Sequence, residues 1–279
     1  MQGENKNIIL ILIVLALFTG ATIELSEGST IIGILLLILA AGVISRINLT
    51  GDNAAFKNSK TFLFAGIFIM AAVAVYNFAT ASSIGTLDSM TFIIGASMFA
   101  MGTARKDLQQ IGEFGLYISV VFTTLYFIFY TLFAMLNIDF LHLFDHYFVL
   151  MPTVALLKIV GIPVEIVAIE TITLYGAEPM TIVIGGPCSG LYSMFLLIGI
   201  VAGYSRIEKM DTRKSVLMLL FAVAVAYLAN LFRVFVLYLT AYFYGLDTMS
   251  IVHTHIGWII FAVTAGIIMY LLNMKKVST

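Results

Sequence analysis

The sequence predicts an all-α polytopic membrane protein of about eight transmembrane helices, with a short external β-prone insert between spans five and six. Three observations carry that prediction: a composition too apolar for water, a series of separate apolar runs, and basic residues confined to alternate connections. Of 279 residues, 61% are hydrophobic and only 10% charged, with a mean hydropathy of +1.08. Soluble globular domains carry roughly 25% charged residues. The net charge of −1 leaves no basic surface to neutralise phosphates, which argues against nucleic-acid binding.

A helix needs roughly 20 apolar residues to cross about 30 Å of hydrocarbon. Suitable runs lie at about 8–23, 30–44, 61–79, 90–104, 114–136, 190–204, 215–241 and 256–273. The first follows Lys6 as a signal peptide would, but no small-residue cleavage site follows it, so it reads as a membrane helix. No internal repeat or low-complexity segment stands out, and residues 1–279 form one membrane domain.

Orientation follows from the short loops, because basic residues stay on the cytoplasmic side. Lys6, then Arg46, Lys57 and Lys60, then Arg105 and Lys106, then Arg206, Lys209, Arg213 and Lys214, and finally Lys275 and Lys276 all fall on one side of an eight-span arrangement. The opposite loops hold Glu24, Glu27, Asp88, Asp139, Asp145 and Asp247, with Lys158 as their one basic residue. Both termini are thereby predicted to face the cytoplasm, in a multi-pass protein of the plasma membrane. The insert, 137–188, is predicted to lie outside. Its first part, with His142, Asp145, His146 and Tyr147, reads as an interfacial helix. Its second part, from Val164 to Ile184, is rich in Val, Ile, Thr and Tyr, and Gly176 and Pro179 divide it into two β-prone runs, a hairpin that delivers Gly185, Gly186, Pro187 and Cys188 to span six.

Cys188 is the lone cysteine, so it makes no intrachain disulfide. It follows a Gly-Gly-Pro turn and precedes an apolar run, where a helix N-terminus would offer free N–H groups and lower a thiol pKa. Arg233 is the one cation inside a predicted span. A charge there is costly, and function is the default reading for it. Asn230 lies one turn earlier on the same face. His253 and His255 precede Gly257 and Trp258 at the outer start of the last span, where an interfacial histidine beside a belt tryptophan is the ordinary case. Three segments thus place a thiol, a cation and an imidazole on one side at similar depth, as covalent catalysis with a base and a cationic stabiliser requires.

At these residues the chain resembles the exosortase and archaeosortase membrane transpeptidases, of which the archaeosortases are favoured. The motifs are Cys188-Ser189-Gly190-Leu191, Asn230-Leu231-Phe232-Arg233, and His253 with Gly257-Trp258. The resemblance implies that Cys188 is the nucleophile, Arg233 a stabiliser of the oxyanion or thiolate, and His253 the general acid/base, with His255 as the alternative. The Ser189 and Gly190 N–H groups would assist as donors. It further implies substrates that are surface-protein precursors with a C-terminal short motif, one transmembrane helix and a basic tail. A membrane lipid, another acceptor or water would resolve the acyl-enzyme, and no cofactor is implied.

Two other classes compete. A transporter would place ionisable residues near the midplane of broken or repeated helices. A non-catalytic assembly factor for surface glycan or lipid-linked polymer would tolerate loss of Cys188. Metal binding by His142, Asp145, His146, His253 and His255 lacks any sharpening spacing, and none is predicted. Gly199 and Gly203 give span six a small-residue face, whose ordinary use is internal helix packing.

Overall fold

In the computed structural model, residues 34–36, 38–39, 59–82, 85–176, 179–185, 189–207 and 210–277 are described. The first predicted span, at 8–23, lies outside them, as does most of the second. The remaining apolar runs form helices. Helix α1 is Lys60–Thr80, α2 Thr86–Gly102 and α3 Lys106–Tyr126. The third continues as a π-helix, π1 (Phe127–Leu132), and ends in a last turn, α4 (Phe133–Met135). After a bend at 136–139 come α5 (Phe140–Phe144), a second π-helix, π2 (Asp145–Leu150), and α6 (Met151–Ile159). Strands β1 (Val164–Ala168), β2 (Thr171–Tyr175) and β3 (Pro179–Val183) follow, then α7 (Leu191–Ile207).

The final helical stretch, Thr212–Val277, is interrupted at Gly245, whose φ of 82° and ψ of 174° are open only to glycine at low cost. It therefore divides into α8 (212–244) and α9 (246–277). Residues that line one cleft lie at matching distances along the chain on either side of the break, Arg233, Asn230 and Ala226 before it and Gly257, Ile260 and Thr264 after it. That symmetry defines an antiparallel helical hairpin folded about Gly245. Among the described residues, four helical stretches are long and apolar enough to cross a membrane: Lys60–Thr80, Leu108–Met135, Phe140–Ile159 and Thr212–Ile268. Helices α2 and α7 are also apolar but shorter.

Close helix packing follows from small residues. A Cβ on Gly66 or Gly102 would run into the backbone of Phe99 or Leu63, so α1 and α2 touch at glycine. Gly199 and Gly203 seat α7 on α3: a Cβ at Gly199 would come within 2.9 Å of the Ile118 carbonyl, and one at Gly203 within 3.0 Å of the Phe114 ring. The small-residue face of α7 is thus used internally. Around that contact Phe114 and Ile118 of α3, Met194, Leu197 and Val201 of α7, Met218, Ala222 and Ala226 of α8, and Phe261, Ala265 and Ile268 of α9 form the core of the bundle.

A second core lies beyond the bundle. The antiparallel meander β1-β2-β3 pairs Val164 with Leu174 and Thr171 with Val183. Alternation along β2 buries Ile172 and Leu174 and leaves Tyr175 exposed. The buried face packs on Val149, Leu150, Val154 and Leu157 of π2 and α6, and on Val234, Tyr238 and Ala241 of α8. The two β-prone runs expected from the sequence are therefore three strands. The first run turns back on itself at Ile169-Glu170, which carries no glycine, proline or asparagine. Side chains of the preceding helices hold this turn instead: His146 Nδ1 lies 2.6 Å from the Ile169 carbonyl, and His142 Nδ1 lies 2.5 Å from Glu170 Oε1.

Candidate active site

The cysteine motif is held from its C-terminal side. Gly190 has a φ of 79°, and a Cβ there would collide with the side chain of Asn230, so both its backbone and its close approach call for glycine. Asn230 Nδ2 donates to the carbonyl of Ser189 at 3.0 Å, and both residues are buried. The Leu191 N–H donates to Ser189 Oγ at 3.3 Å, which satisfies one of the free donors at the start of α7. The first helical bond, Met194 N to Gly190 O, measures 3.0 Å. Cys188 itself lies outside the described residues and directly precedes Ser189 in the chain.

Strand β3 holds the loop from its N-terminal side. The Ile184 N–H donates to the Glu170 carbonyl at 2.7 Å, the last ladder bond before the Gly-Gly-Pro-Cys segment. Ile182 and Ile184 belong to the sheet core, whereas Met194 belongs to the bundle core. Ser189 and Gly190 thus fall between a strand of the sheet core and a helix of the bundle core.

Arg233 lies at the same junction. Below it on α8, Met218, Ala222 and Ala226 pack in the bundle, and above it Val234, Tyr238 and Ala241 pack under the sheet. Its guanidinium rests on α9 at Gly257, where a Cβ would stand 2.9 Å from Cζ and from the terminal nitrogen. Arg233, Asn230, Ser193, Gly257 and Thr264 share one small cleft, which brings the polar groups of α7, α8 and α9 together.

Helical phase separates the two histidines. Gly257, Ile260, Phe261 and Thr264 define the face of α9 that lines this cleft. His253, four residues before Gly257, lies about 40° from it, whereas His255, two residues before, lies about 160° around the helix. His253 therefore shares the face of Gly257, and His255 does not. His142 and His146 are engaged at the β1-β2 turn, and no group of three or more metal-ligating side chains gathers among the described residues.

Two contributors were missed by sequence reasoning. Thr264 lies seven residues beyond Gly257 on the same face, a spacing that was open to detection. Tyr130 carried no such signal: it lies within an apolar span, and π1 stacks its ring on Tyr126 and sets it 5.4 Å from that of Tyr192 in the first turn of α7.

A family model for transmembrane exosortases matches residues 25–270, a stretch that includes every residue of this site. The chain belongs to the transmembrane exosortase family. Exosortases are transmembrane cysteine transpeptidases, a chemistry that requires a thiol, a proton carrier and an oxyanion stabiliser. The match is to exosortases and does not distinguish an archaeosortase. Comparison with curated proteins and with solved structures gives no match.

Proposed function

We propose that this exosortase cleaves surface-protein precursors behind a short C-terminal motif that precedes a transmembrane helix and a basic tail, and passes the new C-terminus to a lipid or another acceptor. The observation that carries this reading is the junction itself. Asn230 pins the Ser189–Gly190 peptide, Arg233 follows one turn later on the same helix with its guanidinium against Gly257, and His253 falls one turn before Gly257 on the same face of α9.

The Cys188 thiolate attacks the scissile carbonyl, forming a C–S bond while the carbonyl π pair moves to oxygen. Arg233 and the amides of Ser189 and Gly190 face that developing charge. The oxyanion collapses, the C–N bond breaks, and His253 gives its proton to the departing amine. Attack by the acceptor or by water on the thioester returns the thiol.

The site belongs at the outer surface of the plasma membrane, with both termini cytoplasmic. Two arguments support this placement. Basic residues crowd the opposite loops, and an open three-stranded sheet has edges that hydrocarbon cannot satisfy, so its junction with the bundle marks the membrane boundary.

A membrane-impermeant maleimide tests the reading, because the chain has a single cysteine. Applied to intact cells that also express a precursor with a C-terminal helix and basic tail, it is expected to add one adduct to the chain and to stop conversion in proportion. Conversion at the untreated rate with Cys188 fully modified would overturn the proposal. In the same cells His253→Ala is expected to slow conversion by about 10² to 10⁴-fold, the usual contribution of a general acid/base. His255→Ala is expected to stay within about threefold of wild type, because a residue facing away from the cleft transfers no proton there. The reverse ranking would reassign the base.

A further inference from the structure

We propose that the outer edge of β3 is a docking strand: the extended segment of the precursor just before its transmembrane helix pairs there as a fourth strand, parallel to β3. The inference rests on the precursor being the substrate and adds how it is held. It begins with the way the backbone of β3 points. Neighbouring residues of a strand turn their N–H and C=O groups to opposite edges. The Ile184 N–H donates to the Glu170 carbonyl at 2.7 Å, so Ile184 and Ile182 face β2, and Val183 and Thr181 face away from it. The backbone groups of Val183 and Thr181 have no hydrogen-bond partner among the described residues, and Val183 is 65% exposed.

The two edges of the sheet differ. Strand β1 is bulged between Ile166 and Ala168, and a bulge spoils an edge as a template for pairing. Strand β3 keeps unbroken register with β2 from Pro179 to Val183, carries no charge, and has its one proline at the first position. Charges and bulges are the usual protection of an edge, and β3 has neither. Open donors and acceptors beside a membrane are met by water or by another backbone, never by hydrocarbon.

The occupant follows from direction. Gly176, directly after β2, lies against α8, where a Cβ would stand 2.9 Å from the Tyr242 carbonyl. At the other end of β3 the chain reaches Ser189 five residues after Ile184, and the Ser189 carbonyl accepts from Asn230. Tyr242 and Asn230 are twelve residues apart on α8, a rise of about 18 Å. The strand residues 179–184 cover about the same distance. Strand β3 thus runs along α8 from the Gly245 end to the level of Asn230, which in the orientation proposed above is from outside toward the membrane. The precursor crosses this boundary in the same sense, extended segment first and helix after. Laid parallel to β3, it keeps its helix directed into the bilayer and brings the join between segment and helix to the level at which α7 begins. Main-chain pairing of this kind supplies affinity with little demand on side-chain identity.

The test has two arms. Val183→Pro removes an outward N–H and no ladder bond, a position at which an edge strand accepts proline. It is expected to slow conversion of the precursor in membranes about 10-fold, the loss of one or two hydrogen bonds to substrate. Ile166→Pro makes the same change on the outer edge of β1 and is expected to convert within about twofold of wild type. Cross-linking reads the pairing directly, whether or not the proline variant folds, and needs no catalysis. Full-length chains carrying Cys188→Ala with either Val183→Cys or Thr181→Cys are oxidised with copper phenanthroline, which joins two thiols as a disulfide with loss of two protons and two electrons. The partners are precursors with single cysteines placed through the extended segment. Val183→Cys is expected to cross-link at every second position, and Thr181→Cys about two residues nearer the precursor's N-terminus. The opposite order, equal cross-linking at all positions, disulfides only between two copies of this chain, or wild-type conversion by Val183→Pro would overturn the inference. Failure of the underlying reading looks different, since the wild-type chain would then leave the precursor unconverted.

Discussion

Cys188→Ala is expected to leave a co-expressed precursor at full length, a loss of at least about 10³-fold in conversion. Covalent catalysis divides a difficult amide cleavage into two steps through the nucleophile, and no neighbouring group replaces it. Ser189, the nearest hydroxyl in sequence, is buried and accepts from the Leu191 N–H. Its oxygen is committed to the start of α7. Cys188→Ser is expected to fall nearly as far, because a serine hydroxyl needs a stronger base than a thiol does near neutral pH. The chain should accumulate in the membrane at the wild-type level, which western blotting of the membrane fraction checks alongside precursor size. Conversion of the precursor by Cys188→Ala within about threefold of wild type would remove the catalytic reading and favour a non-catalytic assembly role.

The sequence revealed the bundle because hydrophobicity is additive along a helix, so spans at 61–79 and 114–136 reappear as α1 and as α3 with π1. What it concealed was set by contacts between distant residues. The turn at Ile169-Glu170 carries no turn chemistry of its own, and its reversal depends on His142 and His146 from a helix more than twenty residues earlier. Gly245 offers only a lone glycine among aromatic and apolar residues, yet it reverses the chain. At the site the same division holds. Asn230 was read as a neighbour of Arg233 on one face, and the structure adds its bond to the Ser189 carbonyl, 41 residues earlier in the chain. Gly257 entered only as part of a motif, and the structure supplies its reason, a guanidinium whose seat on α9 a Cβ would crowd.

That reason leads to the second large effect. Arg233→Ala is expected to reduce conversion by about 10² to 10³-fold, the usual consequence of losing one preorganised oxyanion donor. Arg233→Lys is expected to recover little of it. A lysine keeps the charge but replaces a planar fork of donors with a flexible point charge, and near the membrane boundary it surrenders that charge more readily. Gly257→Ala probes the position without touching the group. Its methyl would stand 2.9 Å from the guanidinium, the far end of a flexible side chain, so the helix can accept it while Arg233 is displaced. A displacement of this kind is expected to cost conversion about 10-fold or more, since small misplacements of a preorganised group are expensive. The measurement is initial conversion of precursor in membranes with equal chain content. Full activity in Arg233→Lys would reduce the residue to a charge that tolerates any geometry. Full activity in Gly257→Ala, with Arg233→Ala inactive, would mean that the guanidinium acts from somewhere other than its seat on α9.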